Sequence, residues 1–360
     1  LLITVYTRVD TPVRTKPVVI GYVGGYSGVV NTDTIDAARL THINYAFVDV
    51  KDNRAWLHNE MTDTVNFRKL NGLKAINPSL KIMISIGGWS WSKNFSDAVL
   101  TDTSRLAFAG SAVDIVRQYG LDGVDIDWEY PGMIGDSNVY RPEDKEHYTL
   151  MFRDIRAELN KLQQQTGKTY LLTTAVGGFA DFIQHTEMNK AQEYLDYINL
   201  MTYDYSDDMS GHHTNLYPSN NYEEENSAHK AVTDFIAAGV PVGKLVMGIA
   251  FYARGTIVEN AAHHGLHQKI VSRTWGGGYS RIKDSIVNQQ GFKSYWDKKA
   301  NAPYLFNADT KQFISYDNER SVKAKCDYVK KHHLAGVMFW EYSSDPKEYL
   351  LTAITNSLNE

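Results

Sequence analysis

Residues 121–132 read LDGVDIDWEYPG, and from Asp125 onward the acidic residues in this run fall on every second position. In an extended strand successive side chains alternate faces, so Asp125, Asp127 and Glu129 share one face while Val124, Ile126 and Trp128 share the other. Neighbours on the acidic face then lie roughly 7 Å apart by strand rise. Like charges that close in a partly buried setting cannot all ionise freely, so at least one proton is expected to be shared or one pKa raised. A carboxylic acid kept protonated near neutral pH can serve as a general acid. Metal binding is the competing use of three carboxylates, but a trio along one strand is poorly arranged to surround an ion.

Such a face needs a scaffold that turns it inward. Short β-branched and aromatic runs alternate along the chain with amphipathic segments, the alternation of a parallel sheet with helical crossovers. Eight runs read as strands: residues 17–23, 42–48, 81–86, 123–129, 170–176, 197–203, 244–251 and 335–340. Helices are expected over 104–119, 142–165 and 223–238, the last with Val232, Phe235 and Ile236 at helical spacing. The expected fold is α/β, a (β/α)8 TIM barrel. More than eighty residues separate the last two strands, which predicts a small α+β insertion between strands 7 and 8, over about residues 254–318. That interval carries Gly276, Gly277 and Gly278, the rings of Tyr295, Trp296, Tyr304 and Phe306, and a strand-like run over 312–316. Residues 17–360 are then one catalytic barrel, behind an N-terminal lead-in over residues 1–16.

Composition narrows the ligand. Lys and Arg number 37 against 42 Asp and Glu, a net charge of -5 that lacks the basic footprint of a nucleic-acid binder. Aromatic residues reach 12%, with 23 Tyr, which suits a neutral ring-shaped ligand. The single cysteine, Cys326, permits no intrachain disulfide, leaves the redox compartment open and reads as a small buried filler. The longest apolar stretch, residues 245–253, is about half of what a membrane-spanning helix needs. The chain begins at Leu1 without a methionine, as it would after removal of a signal peptide or lipoprotein leader.

The motifs now converge. Asp122, Asp125, Asp127 and Glu129 match D-x-x-D-x-D-x-E; Ser85, Ile86, Gly87 and Gly88 match S-x-G-G; Met201, Thr202, Tyr203 and Asp204 match M-x-Y-D. With residues 336–340 reading GVMFW, the matches run in order over nearly the whole chain, and the sequence resembles the family-18 glycoside hydrolases, the chitinase family. The resemblance implies substrate-assisted, retaining hydrolysis of β-1,4-linked N-acetylglucosamine, a known exception to the two-carboxylate scheme. In that scheme Glu129 is the general acid and then the base. Asp127 receives the acetamido N–H, Asp125 shares a proton with Asp127, Tyr203 holds the acetyl oxygen, and Asp204 assists at the acetamido group. No cofactor or metal is implied.

Sugar rings have apolar faces and polar rims, so aromatic platforms are expected to bind them. Trp340 is the expected floor, Trp89 the leaving-group platform, Tyr22, Phe47 and Tyr130 walls, and Met201 a packing residue under the acetyl pocket. The rings of Tyr295, Trp296 and Tyr304 are read either as cleft lining or as core. No tryptophan follows Asp204 in the run YSDDMS, Ala253 stands where glycine is commoner, and Phe179 follows the fifth strand. The pairs His212–His213, His263–His264 and His332–His333 are read as solvated or loop residues rather than metal ligands, with His213 a loop organiser. The partner expected is chitin or a chito-oligosaccharide, not nucleic acid or membrane, acted on by a monomer outside the cell or in its envelope. The rival readings are an endo-β-N-acetylglucosaminidase acting on N-glycans and a chitin-binding lectin; the retained Glu129 argues against the lectin.

Overall fold

The computed structural model describes residues 16–205, 208–219 and 225–360, so the predicted lead-in, apart from Lys16, and the first residues of the helix expected from 223 lie outside the described residues. Eight parallel strands form the barrel: β1 (Val18–Gly24), β2 (His42–Lys51), β3 (Lys81–Gly87), β4 (Gly123–Asp127), β5 (Leu171–Gly177), β6 (Tyr197–Met201), β7 (Leu245–Ala250) and β8 (Gly336–Trp340). Each pairs with its sequence neighbour in the barrel, and β1 pairs with both β2 and β8, which closes the ring. This is the (β/α)8 architecture that the alternation of runs predicts.

The period-two pattern explains where the core sits. Outward positions carry Val19, Ile43, Ile84, Val124, Ile126, Leu172, Ile198, Ile249 and Phe339, all buried against the helical shell. The shell helices include Asp102–Tyr119, Asp144–Thr166, Ala228–Ala237 and Glu319–His332. Helix Asp102–Tyr119 starts on a Thr101–Ser104 capping box and stops at Gly120 in the left-handed region, both ordinary end signals. Its buried Arg105 reaches Asp154 at 2.7 Å and so ties it to the next helix. Trp128 faces outward as the alternation requires, fully buried and stacked on Phe95 at 5.2 Å. Inside the ring a smaller cluster of Val18, Ile20, Tyr22, Ala46, Val246 and Met338 fills the barrel.

Two strands end two residues earlier than expected. β4 stops at Asp127 and β6 at Met201, so Glu129, Tyr203 and Asp204 stand on loops past the barrel rim. For β4 the cause lies next door: Gly87 and Gly88 have φ of 108° and 79° and turn β3 away, so the last pairing between β3 and β4 is Gly87 with Asp127. Only glycine fits there, because a Cβ on Gly87 would collide with the Asp127 carbonyl oxygen and one on Gly88 would lie 2.6 Å from the Phe47 ring.

Between β7 and β8 lies a second sheet of five antiparallel strands with Tyr252–Val258 near its middle, flanked by Ile270–Gly278 on one side and by Gln312–Ser315, Ala302–Asn307 and Phe292–Asp297 on the other. Tyr295, Tyr304 and Phe313 stack in succession at 5.2 Å, and the Arg320 guanidinium lies 3.9 Å above the Trp296 ring. Tyr304 is thus core of the inserted sheet, with Tyr295 half-buried against it, while the half-buried Trp296 packs under Arg320. Among the described residues no helix is long and apolar enough to cross a membrane.

Replacing Gly87 with alanine should destabilise the fold by roughly 2 kcal/mol or more, since it adds both a forbidden φ and a backbone collision. Urea unfolding of the variant checks this; a loss below about 0.5 kcal/mol would show that the turn after β3 adapts.

Candidate active site

Asp125 is the deepest of the acidic residues, fully buried at the centre of the barrel. Its Oδ2 accepts from the Tyr22 hydroxyl at 2.9 Å and the Ser85 hydroxyl at 2.8 Å. Its Oδ1 accepts from the Thr173 hydroxyl at 2.6 Å and the Asn199 amide at 3.3 Å. Burial still leaves its pKa raised, although all four donors pull it down. Among the described residues no hydrogen bond joins Asp125 to Asp127, and Asp125 is held by four donors from β1, β3, β5 and β6.

Asp127, one step closer to the mouth, has the opposite environment. It is buried, and its Oδ1 has no hydrogen-bond partner among the described residues. Burial, then the charges of Glu129 and Asp125, hold its pKa well above the carboxylate range. Glu129 lies half-buried at the rim, where burial chiefly lifts its pKa to about 7, with a further push from Asp204. Asp127 and Glu129 therefore carry at least one proton between them at neutral pH. The raised pKa values on this face run in the direction that alternation predicts.

Asp204 is the counterpoint. Arg254 grips it with two parallel bonds, Nε to Oδ1 at 2.6 Å and Nη2 to Oδ2 at 2.8 Å. Burial pushes Asp204 up, but hydrogen bonds and charge from His213 and Arg254 outweigh it and hold the group well below the usual range. Asp204 is thus a fixed anion. Its own N–H donates to His213 Nδ1 at 3.3 Å, while the His213 N–H donates to Ser315 Oγ at 2.8 Å. His213 organises the loop as expected, but it and His212 are buried rather than solvated. Among the described residues no three His, Cys, Asp or Glu side chains are grouped to hold a metal ion.

Glu129, Tyr130, Phe179, Met201, Tyr203, Asp204, Tyr205 and Asn226 line a pocket of about 210 Å³ at the C-terminal ends of the strands. Burial and the charges of Asp127, Asp204 and Glu129 keep Tyr203 a neutral hydroxyl. To one side, Phe47 stacks on Trp340 at 5.3 Å and Tyr22 tilts against the same indole at 5.8 Å. To the other, Trp89 is 52% exposed and meets Tyr130 edge-on at 6.3 Å. Tyr22, expected as a wall, is instead buried with its hydroxyl committed to Asp125. Phe179 lines the pocket, packing edge-on against Tyr130 at 5.4 Å.

Several contributing residues escaped the sequence reading. Thr173 and Asn199 face inward two residues before Ala175 and Met201, so the period-two rule points to them. Arg254 carries no local signal, since its partner Asp204 is fifty positions away.

The pKa directions make a prediction. A buried carboxyl with a raised pKa binds its proton more tightly when folded, so the stability it contributes is present at low pH. That contribution is lost as pH climbs from the ordinary carboxylate range through the raised value. Asp127→Asn mimics the protonated form and should therefore stabilise the protein at pH 8 by on the order of 1 kcal/mol more than at pH 4. Thermal unfolding at the two pH values checks it; an equal shift at both would mean that Asp127 ionises normally.

The profile for "Glycosyl hydrolases family 18" matches residues 18–345. Chitinase A1 of Niallia circulans is 36% identical over 92% of this chain, and the chain spans only 57% of that protein's length. A solved family-18 N-acetylglucosaminidase from Paenibacillus barengoltzii superposes with a TM-score of 0.88 at 40% identity, covering 95% of this chain and 99% of that one. Chitinase ChiW from Paenibacillus sp. str. FPU-7, described as a cell-surface-expressed multi-modular enzyme, gives a TM-score of 0.90 at 38% identity, over 96% of this chain and 33% of its own.

Proposed function

Because the chain belongs to family 18 of the glycosyl hydrolases, we propose that it is a chitinase cleaving β-1,4 linkages in N-acetylglucosamine polymers or oligomers. The observation that carries this reading is Glu129, a carboxyl held at about 7 on the wall of a pocket flanked by aromatic rings. It donates its proton to the glycosidic oxygen as the bond to the anomeric carbon breaks. The substrate's own acetamido carbonyl oxygen forms the replacement bond to that carbon. Water then attacks the anomeric carbon from the vacated side, breaking its bond to the acetamido oxygen and returning a proton to Glu129, so the configuration is retained.

The other residues follow from their environments. Asp127 has a free oxygen and no competing donor, which suits it to receive the acetamido N–H. Asp125 is held by the barrel beneath it. Tyr203, kept neutral, offers its hydroxyl to the acetyl oxygen. Asp204, immobilised by Arg254, acts as a fixed charge that keeps the Glu129 proton in place and borders the acetamido group. Trp340 with Phe47 forms the floor of the bound sugar, Trp89 and Tyr130 the platform for the leaving portion, and Met201 the packing beneath.

The catalytic unit is residues 17–360, with the sheet between β7 and β8 an integral insertion, and the chain acts as a monomer. The polymeric form of this substrate is insoluble, which puts the place of action outside the cell or in its envelope; the cell-surface display described for ChiW supports this reading.

Glu129→Gln should lower the rate on chito-oligosaccharides by 10²–10⁴-fold, the scale of a lost general acid. Activity of the parent should decline above about pH 7 as Glu129 loses its proton. The first product seen by proton NMR should be the β-anomer. Equal rates for parent and variant, or an α-anomer formed first, would overturn the assignment.

A further inference from the structure

Glu129 lies beyond the end of β4, where the barrel ladder no longer holds the chain, so something else must fix the backbone that presents its carboxyl. The final register pair of β4 with β5 is Asp127 with Ala175, and β3 has already turned away at Gly87 and Gly88. The Glu129 N–H donates instead to Ser92 Oγ at 2.8 Å. Ser92 is fully buried, and its own proton is directed at the carbonyl oxygens of Gly88, at 2.8 Å, and Asp127, at 3.1 Å. One hydroxyl thus joins three backbone groups from two segments that are far apart in the chain.

We infer that Ser92 is a positioning residue for the reaction: by clamping the Glu129 peptide to the turn after β3, it sets where the proton-donating carboxyl meets the glycosidic oxygen. This rests on the chitinase reading and on Glu129 as its acid. A serine needed only to finish its own turn would stop at the Gly88 carbonyl; the bonds to Asp127 and Glu129 cross to the neighbouring strand. The turn that Ser92 closes, Trp89–Trp91, also presents the exposed Trp89 indole, so platform and acid are referenced to the same short segment. Ser92 itself has no exposed surface, so it reaches substrate only through Glu129. On the other flank, Asn138 Nδ2 donates to the Tyr130 and Met133 carbonyls at 3.4 and 2.9 Å and its Oδ1 accepts from the Gly135 N–H at 2.6 Å, so Asn138 does not compete with Ser92 for the Glu129 N–H.

A misplaced acid and a generally loosened site can be separated by leaving-group chemistry. Chitotetraose needs a proton delivered to its leaving oxygen, whereas the dinitrophenyl glycoside of chitobiose expels a stable phenolate without one. For Ser92→Ala, kcat/KM on chitotetraose should fall about 10-fold or more, and on the dinitrophenyl glycoside by less than about 3-fold. Ser92→Thr, which keeps the hydroxyl, should recover most of the loss. Equal losses on the two substrates, or no loss on chitotetraose, would overturn the inference. Should the alanine variant fail to fold, Ser92→Cys carries the comparison: a thiol accepts hydrogen bonds poorly, so the same preference for the activated glycoside is expected, and its absence counts against Ser92. If the parent is inert on both glycosides, the chitinase reading falls and this inference with it.

Discussion

A carboxyl at the centre of a protein is tolerable only if its oxygens are supplied with donors, and Asp125 is where this molecule meets that requirement. Its partners come from β1, β3, β5 and β6, on both sides of β4, so a register slip in any of these strands would strip a donor from the buried group. The barrel interior is accordingly polar at this level, in contrast to the aliphatic cluster of Val18, Ile20 and Val246 elsewhere in it. Donors spent on Asp125 are not available to Asp127, which is buried beside it and whose pKa burial and the neighbouring carboxyls Glu129 and Asp125 push well above the usual range. The chemistry at the mouth is set by this unequal division of hydrogen bonds.

From there outward the polarity of the groups alternates. Asp127 and Glu129, which hold at least one proton between them, lie near neutral Tyr203, and Asp204 faces them as an anion neutralised by Arg254. A mobile anion in that place would compete for protons; the two-pronged grip of a planar guanidinium fixes both its charge and its orientation. Trp340 and Trp89 flank this polar centre with apolar surface, the combination that a ring with apolar faces and polar rims requires.

Much of the barrel was legible in the sequence because it depends on short-range regularities. All eight strands follow from β-branched runs, and the inward acidic face follows from alternation alone. What escaped depends on contacts between distant positions. Tyr22 reads as a cleft wall until Asp125, 103 residues away, is seen to claim its hydroxyl. The rings of the inserted sheet read equally as cleft or core until Arg320 and Phe313 arrive to cover them. The strand-end errors at β4 and β6 have a shared origin. Periodicity registers the extended conformation of residues such as Trp128, whereas a strand ends where its neighbour leaves, and at β4 the departure is written in Gly87 and Gly88.

The Asp204–Arg254 pair also bears on how such a protein can be taken apart. Arg254 belongs to the strand Tyr252–Val258 of the inserted sheet, while Asp204 follows a barrel strand, and His213 completes the seam through Ser315 of the same sheet. The insertion therefore cannot be exchanged as a cassette between related barrels, however conveniently its ends fall in the chain. A donor sheet lacking an arginine at this register would leave a bare carboxylate facing the acid pair. Recombination or engineering that respects domain boundaries but ignores this seam would yield a well-folded barrel whose acid–base balance has been reset.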